Sequence, residues 1–304
     1  MIKKIIKSIL VVVLPKAAYI KVRQIYSSMT NFFRYDAPVI IRRANILPFG
    51  KFKHLKKYRN LHKGERCFIV ATGPSLTIDD VEKLKGEHTF SMNTIYHVFK
   101  DTAWRPTYYV IVDRKMYPLW SKDTNFKLSG IKEFFVGSGI EEDNMKAEAA
   151  FPYDYNALPD YCYRQFIEQV NDSRGFIPEP YKKKFSTNIS AYVVVNNVAF
   201  VTLQIAVYMG FSEIYLLGCD CNFEIGKKNH IVDYDTSHLN LSQARVSAVF
   251  ENLFLAYESA KKYADAHGIK IYNATRGGKL EVFERVNLDE VLTMEARGVE
   301  NHVS

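Results

Sequence analysis

The sequence predicts an α/β fold with a mainly parallel sheet and helices on both faces. Short, continuous apolar runs such as residues 67–71 and 213–217 have the length and composition of buried parallel strands. Helical stretches such as residues 198–209 separate these runs, and strands that alternate with helices are typical of parallel sheets. The 304 residues, of which 47% are hydrophobic, suffice for one large domain or two small ones.

The predicted elements alternate from residue 64 onward. Gly210 and Gly268 follow the two clearest helices, at the position where glycine commonly ends a helix. Residues 139–185 are irregular, aromatic and charged, so we expect a lid or inserted subdomain over about 139–190. The predicted strands are 67–71, 89–93, 108–112, 134–136, 213–217 and 270–272, and the predicted helices are 76–84, 198–209 and 241–267.

The charge is divided unevenly along the chain. The net charge of +8 comes from 41 Lys and Arg against 33 Asp and Glu. Residues 1–66 carry a net +14, whereas residues 67–304 carry a net −6. A mildly acidic body without a recognition motif argues against nucleic-acid binding. We therefore predict a basic arm at 1–63 and a catalytic domain at 64–304.

The basic arm begins with the pattern of an amphipathic helix. Its apolar run is shorter than the roughly 20 residues of a membrane span, and no signal-peptide cleavage site follows it. We expect residues 1–60 to lie in the plane of an anionic membrane. A helical extension that packs on the body or on a partner is the alternative. The apolar face at the start of the arm comprises Ile2, Ile5, Ile6, Ile9, Leu10 and Val13.

The four cysteines predict neither a disulfide framework nor a zinc site. Cys67, Cys162, Cys219 and Cys221 form no C-x-x-C pair. Because no cleavable signal is found, we expect reduced thiols in a cytoplasmic protein that lies on the inner face of the cytoplasmic membrane.

Small and polar residues follow several predicted strands, at the edge of the sheet where ligands of such folds bind. In the first of these loops, Gly73 lets the backbone approach a ligand and Ser75 supplies a hydroxyl. The free N–H groups of the following helix start attract phosphate. A plain strand-to-helix turn is the alternative. The candidate residues at this edge are Thr72, Gly73, Pro74, Ser75, Asn93, Asp113, Gly218, Asp220 and Asn222.

Two further segments carry candidate residues. Asn196 and Asn197 precede the apolar helix and form either a second anion site or an ordinary helix cap. Asp233 and Asp235 match the short D-x-D metal pattern, but two Asp at this spacing are common, so we predict no metal site. His238 follows in a loop, and its near-neutral pKa suits a general base. An exposed loop histidine is the alternative.

Five stretches of the body together resemble a known family. They read FIVATGPSL, SMNTIYHVF, PTYYVIVD, VTLQIAVYMGFSEIYLLGCDCNF and NATRGGKLEVF. They resemble the bacterial MptE-like domain family, which is named for a 6-hydroxymethylpterin diphosphokinase and is associated with polysaccharide and flagellin glycosylation. The resemblance covers roughly residues 64–290.

A more distant resemblance is to the bacterial sialyltransferases of glycosyltransferase family 42. Gly73, Pro74 and Ser75 match that family's CMP-binding loop, in which Thr72 replaces an Asn. Asn93, Gly218, Asp220, Ser237 and His238 also match, whereas Asp113 replaces an Asn and Asn222 replaces a phosphate-binding Tyr. The resemblance implies a Rossmann-like, GT-A-like variant fold with a nucleotide-sugar site and a His base.

Under this resemblance we expect a glycosyltransferase of cell-surface glycan synthesis. It would transfer a sugar, CMP-activated and nonulosonate-like, to a glycan or lipid-linked acceptor by inverting chemistry. Departing CMP carries one phosphate, which N–H groups and hydroxyls can stabilise without a metal, so no cofactor is expected. Two alternatives stay open. One is a diphosphokinase that uses Mg-ATP, and the other is a non-catalytic nucleotide-binding scaffold of the glycan assembly machinery.

Overall fold

The computed structural model describes residues 14–44, 52–112, 131, 133–137, 155–158, 160–162, 185–195, 197–224, 227–232 and 243–293. The chain forms two compact units. The first comprises Met1–Gly50 and Tyr161–Lys183, and the second comprises Lys51–Asp160 and Lys184–Ser304. The division into an arm at 1–63 and a catalytic domain at 64–304 stays a prediction.

The described part of the first unit is mainly helical. Helix α1 spans Lys16–Asn31 and helix α2 spans Ala37–Ala44, with the wider π turn Phe32–Asp36 between them. Pro38 lacks the N–H group that an α-helix would direct to residue 34, and the π turn ends two residues before it. None of the helices in the described ranges combines the length and apolar character that crossing a bilayer requires. The predicted amphipathic face at residues 2–13 lies outside the described residues.

The second unit is built on an eight-stranded sheet in the order β10-β9-β8-β1-β2-β3-β4-β5, and its neighbouring strands run parallel. Along the described chain the strands are β1 Arg66–Val70, β2 Thr89–Met92, β3 Tyr108–Ile111, β4 Glu133–Gly137, β5 Tyr155–Leu158, β6 Asp160–Cys162, β7 Val193–Val195, β8 Glu213–Leu217, β9 Lys270–Asn273 and β10 Glu284–Arg285. Of β6, Tyr161 and Cys162 belong to the first unit. The α-helices are α3 Ile78–Lys83, α4 Val198–Met209 and α5 Gln243–Ala266, and the 3-10 helices are Lys53–Tyr58 and Asn93–Lys100.

The chain reverses its direction across the sheet at β1. From β1 to β5 each strand is added on one side, and β8 then returns to the free side of β1, where Val70 pairs with Leu217. In parallel sheets this reversal leaves a crevice at the carboxyl ends of the two strands. Residues 71–75 and 218–224, which directly follow β1 and β8, therefore border the same crevice.

The core covers both faces of the sheet. In β1 four consecutive residues from Cys67 to Val70 are buried, although successive strand residues point to opposite faces. On one face Phe68 and Val70 pack with buried residues of α3 and of the 3-10 helix that follows β2. Helix α4, which is buried on all sides, packs against β1, β2 and β3.

The predicted α/β fold with a mainly parallel, Rossmann-like sheet is confirmed, and helix α4 has its predicted bounds. Strand β7 was not predicted, and three further details were wrong. Residues 270–272 are not the last strand, because β10 follows. The segment 139–185 contains strands β5 and β6. The first helix begins at Ile78 instead of residue 76, because Thr77 caps it in a reciprocal capping box with Asp80.

Candidate functional site

A pocket opens at the carboxyl edge of the sheet, between β1 and β8. It has a volume of about 190 Å³, below the roughly 300–1,000 Å³ of whole small-molecule sites. A ligand as large as a nucleotide sugar would therefore extend beyond it. The described lining residues come from the loops after β1, β2 and β8 and from α4 and α5. They are Ala71, Thr72, Gly73, Pro74, Met92, Asn93, Asn197, Val198, Ala199, Gly218, Cys219, Asp220, Cys221, Asn222, Phe223, Asn229, His230, Leu253 and Tyr257.

The loop after β1 is tied to the loop after β8. The Gly73 N–H donates to the Gly218 carbonyl at 2.9 Å, and the Ser75 hydroxyl donates to Asp220 Oδ2 at 2.8 Å. Burial raises the pKa of Asp220 above its ordinary value, although the hydrogen bonds from Ser75 lower it. Ser75 itself is not among the lining residues. Its hydroxyl positions the carboxylate that lines the pocket.

Asp220 occupies a slot that two glycines leave open. A Cβ on Gly73 would lie 1.9 Å from Asp220 Oδ2 and 2.3 Å from the Gly218 carbonyl oxygen. A Cβ on Gly278 would lie 2.5 Å from the Asp220 carbonyl oxygen, which accepts a hydrogen bond from the Lys279 N–H at 2.7 Å. Side chains at either position would therefore displace Asp220.

Asn93 has an unusual backbone and an unpaired side chain. Its φ of 52° lies in the left-handed region, which Asn tolerates better than most residues other than glycine. The Tyr109 hydroxyl donates to its carbonyl oxygen. Its side-chain oxygen Oδ1 is buried and finds no hydrogen-bond partner among the described residues. Strained, unsatisfied positions of this kind cluster at ligand sites.

The start of helix α4 forms another wall of the pocket. Asn197 is its N-cap, and its side chain accepts a hydrogen bond from the Phe200 N–H at 2.7 Å. Asn197 is therefore a helix cap, as one of the two interpretations of the sequence predicted. The N–H groups of Val198 and Ala199 belong to the first turn, where no intrahelical partner exists, and both residues line the pocket. The helix start can therefore still bind an anion.

Asn222, which also lines the pocket, has a buried side-chain oxygen like that of Asn93. Its Oδ1 is buried and has no hydrogen-bond partner among the described residues, while its Nδ2 approaches Glu224 at 3.4 Å.

Cys221, one residue earlier, has a φ of 48°. Burial raises the pKa of the Cys221 thiol to about 12, so it stays protonated and unreactive.

Sequence reasoning missed His230 and Tyr257 in this pocket. His230 Nδ1 lies 3.3 Å from the Thr72 hydroxyl oxygen, and the Thr72 carbonyl accepts a hydrogen bond from the Ile231 N–H. Tyr257 comes from α5, and burial raises the pKa of its hydroxyl well above the ordinary value. His230 could have been predicted, because it follows the candidate residues Gly218, Asp220 and Asn222 in the loop after β8. Nothing in the pattern of α5 distinguishes Tyr257 from a core residue.

An ion pair between the buried Asp80 and the exposed Arg276 supports the loop after β1. The Arg276 guanidinium donates to both carboxylate oxygens of Asp80 and to the Ser75 carbonyl oxygen at 2.7 Å. The side chain of Asp80 is 4% exposed. Burial raises the pKa of Asp80, but hydrogen bonds from Arg276 and Thr77 lower it more, so its pKa lies below the ordinary value. Asp80 therefore stays charged and holds Arg276 against the loop.

The structure brings most of the described candidates together. Thr72, Gly73, Pro74, Asn93, Asn197, Gly218, Asp220 and Asn222 line one pocket. The helix expected directly after Ser75 begins later, at Ile78, and Ile78 does not line the pocket, so the phosphate site at that helix start stays a prediction. Five predicted residues lie outside the described residues, namely Asp113, Asn196, Asp233, Asp235 and His238.

A family model matches the part of the chain that contains strands β1 to β8. The model of the family described as 6-hydroxymethylpterin diphosphokinase MptE-like matches residues 43–226. This is more than half of the chain, so the chain belongs to that family, and the family prediction is confirmed. No curated protein matches the chain.

Two solved structures are similar to this chain. One is a MAf glycosyltransferase from Magnetospirillum magneticum AMB-1, at 12% identity and a TM-score of 0.43, over 83% of this chain and 41% of that chain. The other is the sialyltransferase CstII from Campylobacter jejuni in complex with a substrate analogue, cytidine-5'-monophosphate, at 18% identity and a TM-score of 0.38. That match covers 74% of this chain and 85% of the sialyltransferase. The chain thus spans less than half the length of the MAf protein.

Proposed function

We propose that the chain is a glycosyltransferase that binds a CMP-activated sugar in the pocket between β1 and β8. One observation carries the proposal. The pocket combines buried acceptor oxygens that have no hydrogen-bond partner among the described residues with N–H groups at a helix start. Such a wall suits a ligand that carries both hydrogen-bond donors and an anionic group.

The acceptor oxygens favour a nucleoside as that ligand. An unpaired buried acceptor costs about 1–3 kcal/mol, and a ligand donor that reaches it removes this cost. Asn93 Oδ1 and Asn222 Oδ1 are both buried in the pocket wall. A cytosine amino group and the ribose hydroxyls are donors of the required kind.

The helix start favours a phosphate beside the nucleoside. The N–H groups of Val198 and Ala199, which have no partner within the helix, and the dipole of the 12-residue helix α4 attract negative charge. Among the described lining residues Asp220 is the one carboxylate, and Ser75 already donates to it. A magnesium-ATP site usually gathers several oxygen ligands. This arrangement therefore favours a single phosphate without a metal over the diphosphokinase reaction.

The chemistry is an inverting displacement at the anomeric carbon. The acceptor hydroxyl oxygen forms the new glycosidic bond, the bond from the sugar to the phosphate oxygen breaks, and CMP departs with the electron pair. The acceptor proton passes to His238, the base that the resemblance to sialyltransferases implies. N–H groups at the start of α4 stabilise the charge on the departing phosphate.

A nucleotide panel tests the donor. Thermal unfolding of the full chain is followed with CMP, CDP, UDP, GDP and ATP, each with and without Mg²⁺. CMP alone should raise the unfolding temperature, because a ligand that binds only the folded state stabilises it. Stabilisation by Mg-ATP alone would replace the proposal with the diphosphokinase. Stabilisation by CMP without turnover of any CMP-sugar would indicate the non-catalytic scaffold.

Three variants test the base. His238→Ala should abolish hydrolysis or transfer of the CMP-sugar and leave CMP binding intact. His230→Ala and Asp220→Asn alter the two described groups in the pocket that could also accept a proton. If either of these variants is inactive with intact CMP binding while His238→Ala still turns over, the base is in the described pocket and the assignment to His238 is wrong.

We also propose that the arm binds the anionic inner face of the cytoplasmic membrane, where a lipid-linked acceptor would lie. In α1 the large apolar side chains of Val22, Ile25, Tyr26 and Met29 are 40–55% exposed and share one helical face. Lys21 and Arg23 flank this face in the helical projection. An exposed apolar stripe between basic residues is the pattern of a helix that lies in the membrane plane.

Vesicle flotation tests the membrane proposal. The full chain should float with vesicles that contain phosphatidylserine and not with phosphatidylcholine alone. Ile25→Ser should weaken flotation, whereas Leu255→Ser, a matched loss of an apolar side chain that is 56% exposed in α5, should not. Equal flotation of the two variants would overturn the assignment to α1.

A further inference from the structure

A second polar cluster lies at the amino edge of the same sheet, at the opposite ends of the strands from the pocket. His62 and Glu65 belong to the loop that enters β1, and His88 directly precedes β2. Because parallel strands begin at one edge, these two loops are neighbours. We call His62, Glu65 and His88 the amino-edge cluster.

Three potential metal ligands converge in the amino-edge cluster. Glu65 Oε2 lies 2.9 Å from His62 Nδ1 and 2.8 Å from His88 Nε2. One ligand atom from each residue lies within 4.8 Å of the others. Two bonds of about 2.0–2.1 Å at a tetrahedral angle require ligand atoms roughly 3.3 Å apart, so a small outward movement would admit an ion.

The ligand set suits a transition metal. Two imidazoles and one carboxylate are ligands that Zn²⁺ accepts, and three protein ligands leave a fourth position open. The side chain of Glu65 is 46% exposed and that of His88 is 37% exposed, so an ion can enter from solvent. Mg²⁺ and Ca²⁺ prefer oxygen ligands and should bind this set poorly.

The least exposed ligand, His62, is positioned by the surrounding structure. Its side chain is 12% exposed, and its ring stacks on Phe211 at a centroid distance of 4.6 Å. Its second nitrogen, Nε2, lies 2.6 Å from the Tyr108 hydroxyl oxygen. Metal-binding histidines usually have such a partner on the nitrogen that does not bind the metal, because the partner fixes the tautomer and ring orientation.

One further feature holds this geometry in place. The loop of His62 is bound to the end of α4, where the His62 N–H donates to the Met209 carbonyl at 2.8 Å and the Gly64 N–H donates to the Gly210 carbonyl. The ligands are therefore largely preorganised.

We propose that the amino-edge cluster binds one transition-metal ion of the Zn²⁺ class, held by His62 Nδ1, Glu65 and His88 Nε2. The ion joins the loop before β1 to the start of β2, with a water in its open position. This site is independent of the proposed nucleotide pocket. The competing account is a cluster of hydrogen bonds that shares Glu65 and needs no metal.

Metal titration separates the two accounts. The full chain, stripped of metal with a chelator, is titrated with ZnCl₂ by calorimetry against a competing chelator, and with CoCl₂ by visible absorption. One equivalent of Zn²⁺ should bind, and Co²⁺ should give the strong visible bands of a four-coordinate site. MgCl₂ should produce no heat. A chain that binds no stoichiometric Zn²⁺ would overturn the proposal.

Single substitutions locate the ion. His88→Ala and Glu65→Gln should each weaken Zn²⁺ binding at least tenfold and remove the visible Co²⁺ bands. The matched control is His267→Ala, since His267 is an exposed histidine that hydrogen-bonds to the Tyr263 carbonyl outside the cluster. Zn²⁺ affinity that is unchanged in both cluster variants would place the ion elsewhere and overturn the assignment.

Tyr108→Phe tests the positioning of His62. The variant keeps the ring that stacks on Phe90, at a centroid distance of 4.7 Å, and removes only the hydroxyl. Loss of such a partner typically lowers metal affinity about 10- to 100-fold. Zn²⁺ affinity equal to that of the unaltered chain would show that Tyr108 does not position the ligand.

Discussion

The carboxyl and amino edges of the sheet differ in whether their polar side chains have hydrogen-bond partners. At the carboxyl edge the side-chain oxygens of Asn93 and Asn222 are buried without described partners, and the backbone of Asn93 is in the left-handed region. At the amino edge polar groups are paired with one another, as in the amino-edge cluster and the Arg66–Glu87 ion pair at 2.6 Å. At the carboxyl edge a ligand can therefore supply the missing hydrogen-bond donors. At the amino edge the polar side chains already bind one another.

The largest effect should come from filling the glycine slot at the carboxyl edge. In Gly73→Ala the new Cβ would overlap both Asp220 and the Gly218 carbonyl, so the two loops must separate. We expect CMP binding to be lost and the free energy of unfolding to fall by about 3 kcal/mol, at the upper end of overpacking costs. Calorimetry and urea unfolding measure the two effects.

Gly86→Ala is the control for that substitution. Gly86 has a φ of 91° and nothing within 4 Å of its added Cβ, so the change strains the backbone without a clash. It should cost about 1–2 kcal/mol of unfolding free energy and leave CMP affinity unchanged. If Gly73→Ala binds CMP normally, the crevice between β1 and β8 is not the binding site.

Removing the charge of Asp80, which supports the loop after β1, should have a smaller effect on the free energy of unfolding. Because the folded pKa of Asp80 is lowered, its carboxylate stabilises the fold above the ordinary pKa near 4, and this stabilisation is lost as the pH falls through the lowered pKa. Asp80→Asn should cost about 1–2 kcal/mol at pH 7, a value reduced for the 56% exposure of Arg276. Its stability should also depend less on pH below pH 4.

The measurement for Asp80 is urea unfolding from pH 7 to pH 2. Asp265→Asn provides the comparison, because Asp265 forms an exposed surface pair with Lys261 at 2.8 Å. That pair should contribute less than about 0.5 kcal/mol. Equal losses in the two variants would mean that burial of Asp80 adds nothing to the pair with Arg276.

The smallest effect should come from Asn93→Gly. Glycine adopts a φ of 52° without strain, so stability should be unchanged or slightly higher, while the loss of the side-chain amide should weaken CMP binding roughly fivefold, about 1 kcal/mol. Asn60→Gly is the matched control, with a φ of 58° at an exposed position near the amino edge. It should alter neither property. Equal CMP affinity in the two variants would remove Asn93 from the site.

Sequence patterns predicted the parts of the fold that strong apolar periodicity determines. Helix α4 and strand β8 have their predicted bounds because a continuous apolar run ends at glycine in each case. Strand β7 was missed although Val193, Val194 and Val195 are all β-branched. Strands β5 and β10 have only four and two residues, so neighbouring strands of the sheet, which the local sequence does not reveal, determine their pairing.

The candidate site was predictable where residues directly follow strands. Thr72, Asn93 and Asp220 belong to such loops, and the rule that ligands bind at the carboxyl edge places them together. The spacing of residues in the sequence could not indicate which helix directs its first N–H groups toward the pocket. Residues of α4 line the pocket, whereas α3 begins later than predicted, at Ile78, and none of its residues lines the pocket. His230 and Tyr257 join the pocket only through tertiary packing.

The pairing of β1 with β8 also affects the order in which the molecule can acquire its pocket during synthesis. Ser75 and Asp220 are 145 residues apart in the chain. At a translation rate of roughly 5–20 residues per second, Asp220 is made roughly 7–30 seconds after Ser75. Until then the pocket lacks the loop after β8, so the proposed nucleotide has no complete site and should not assist the early folding of the chain. We expect the nucleotide to stabilise only chains that extend beyond β8.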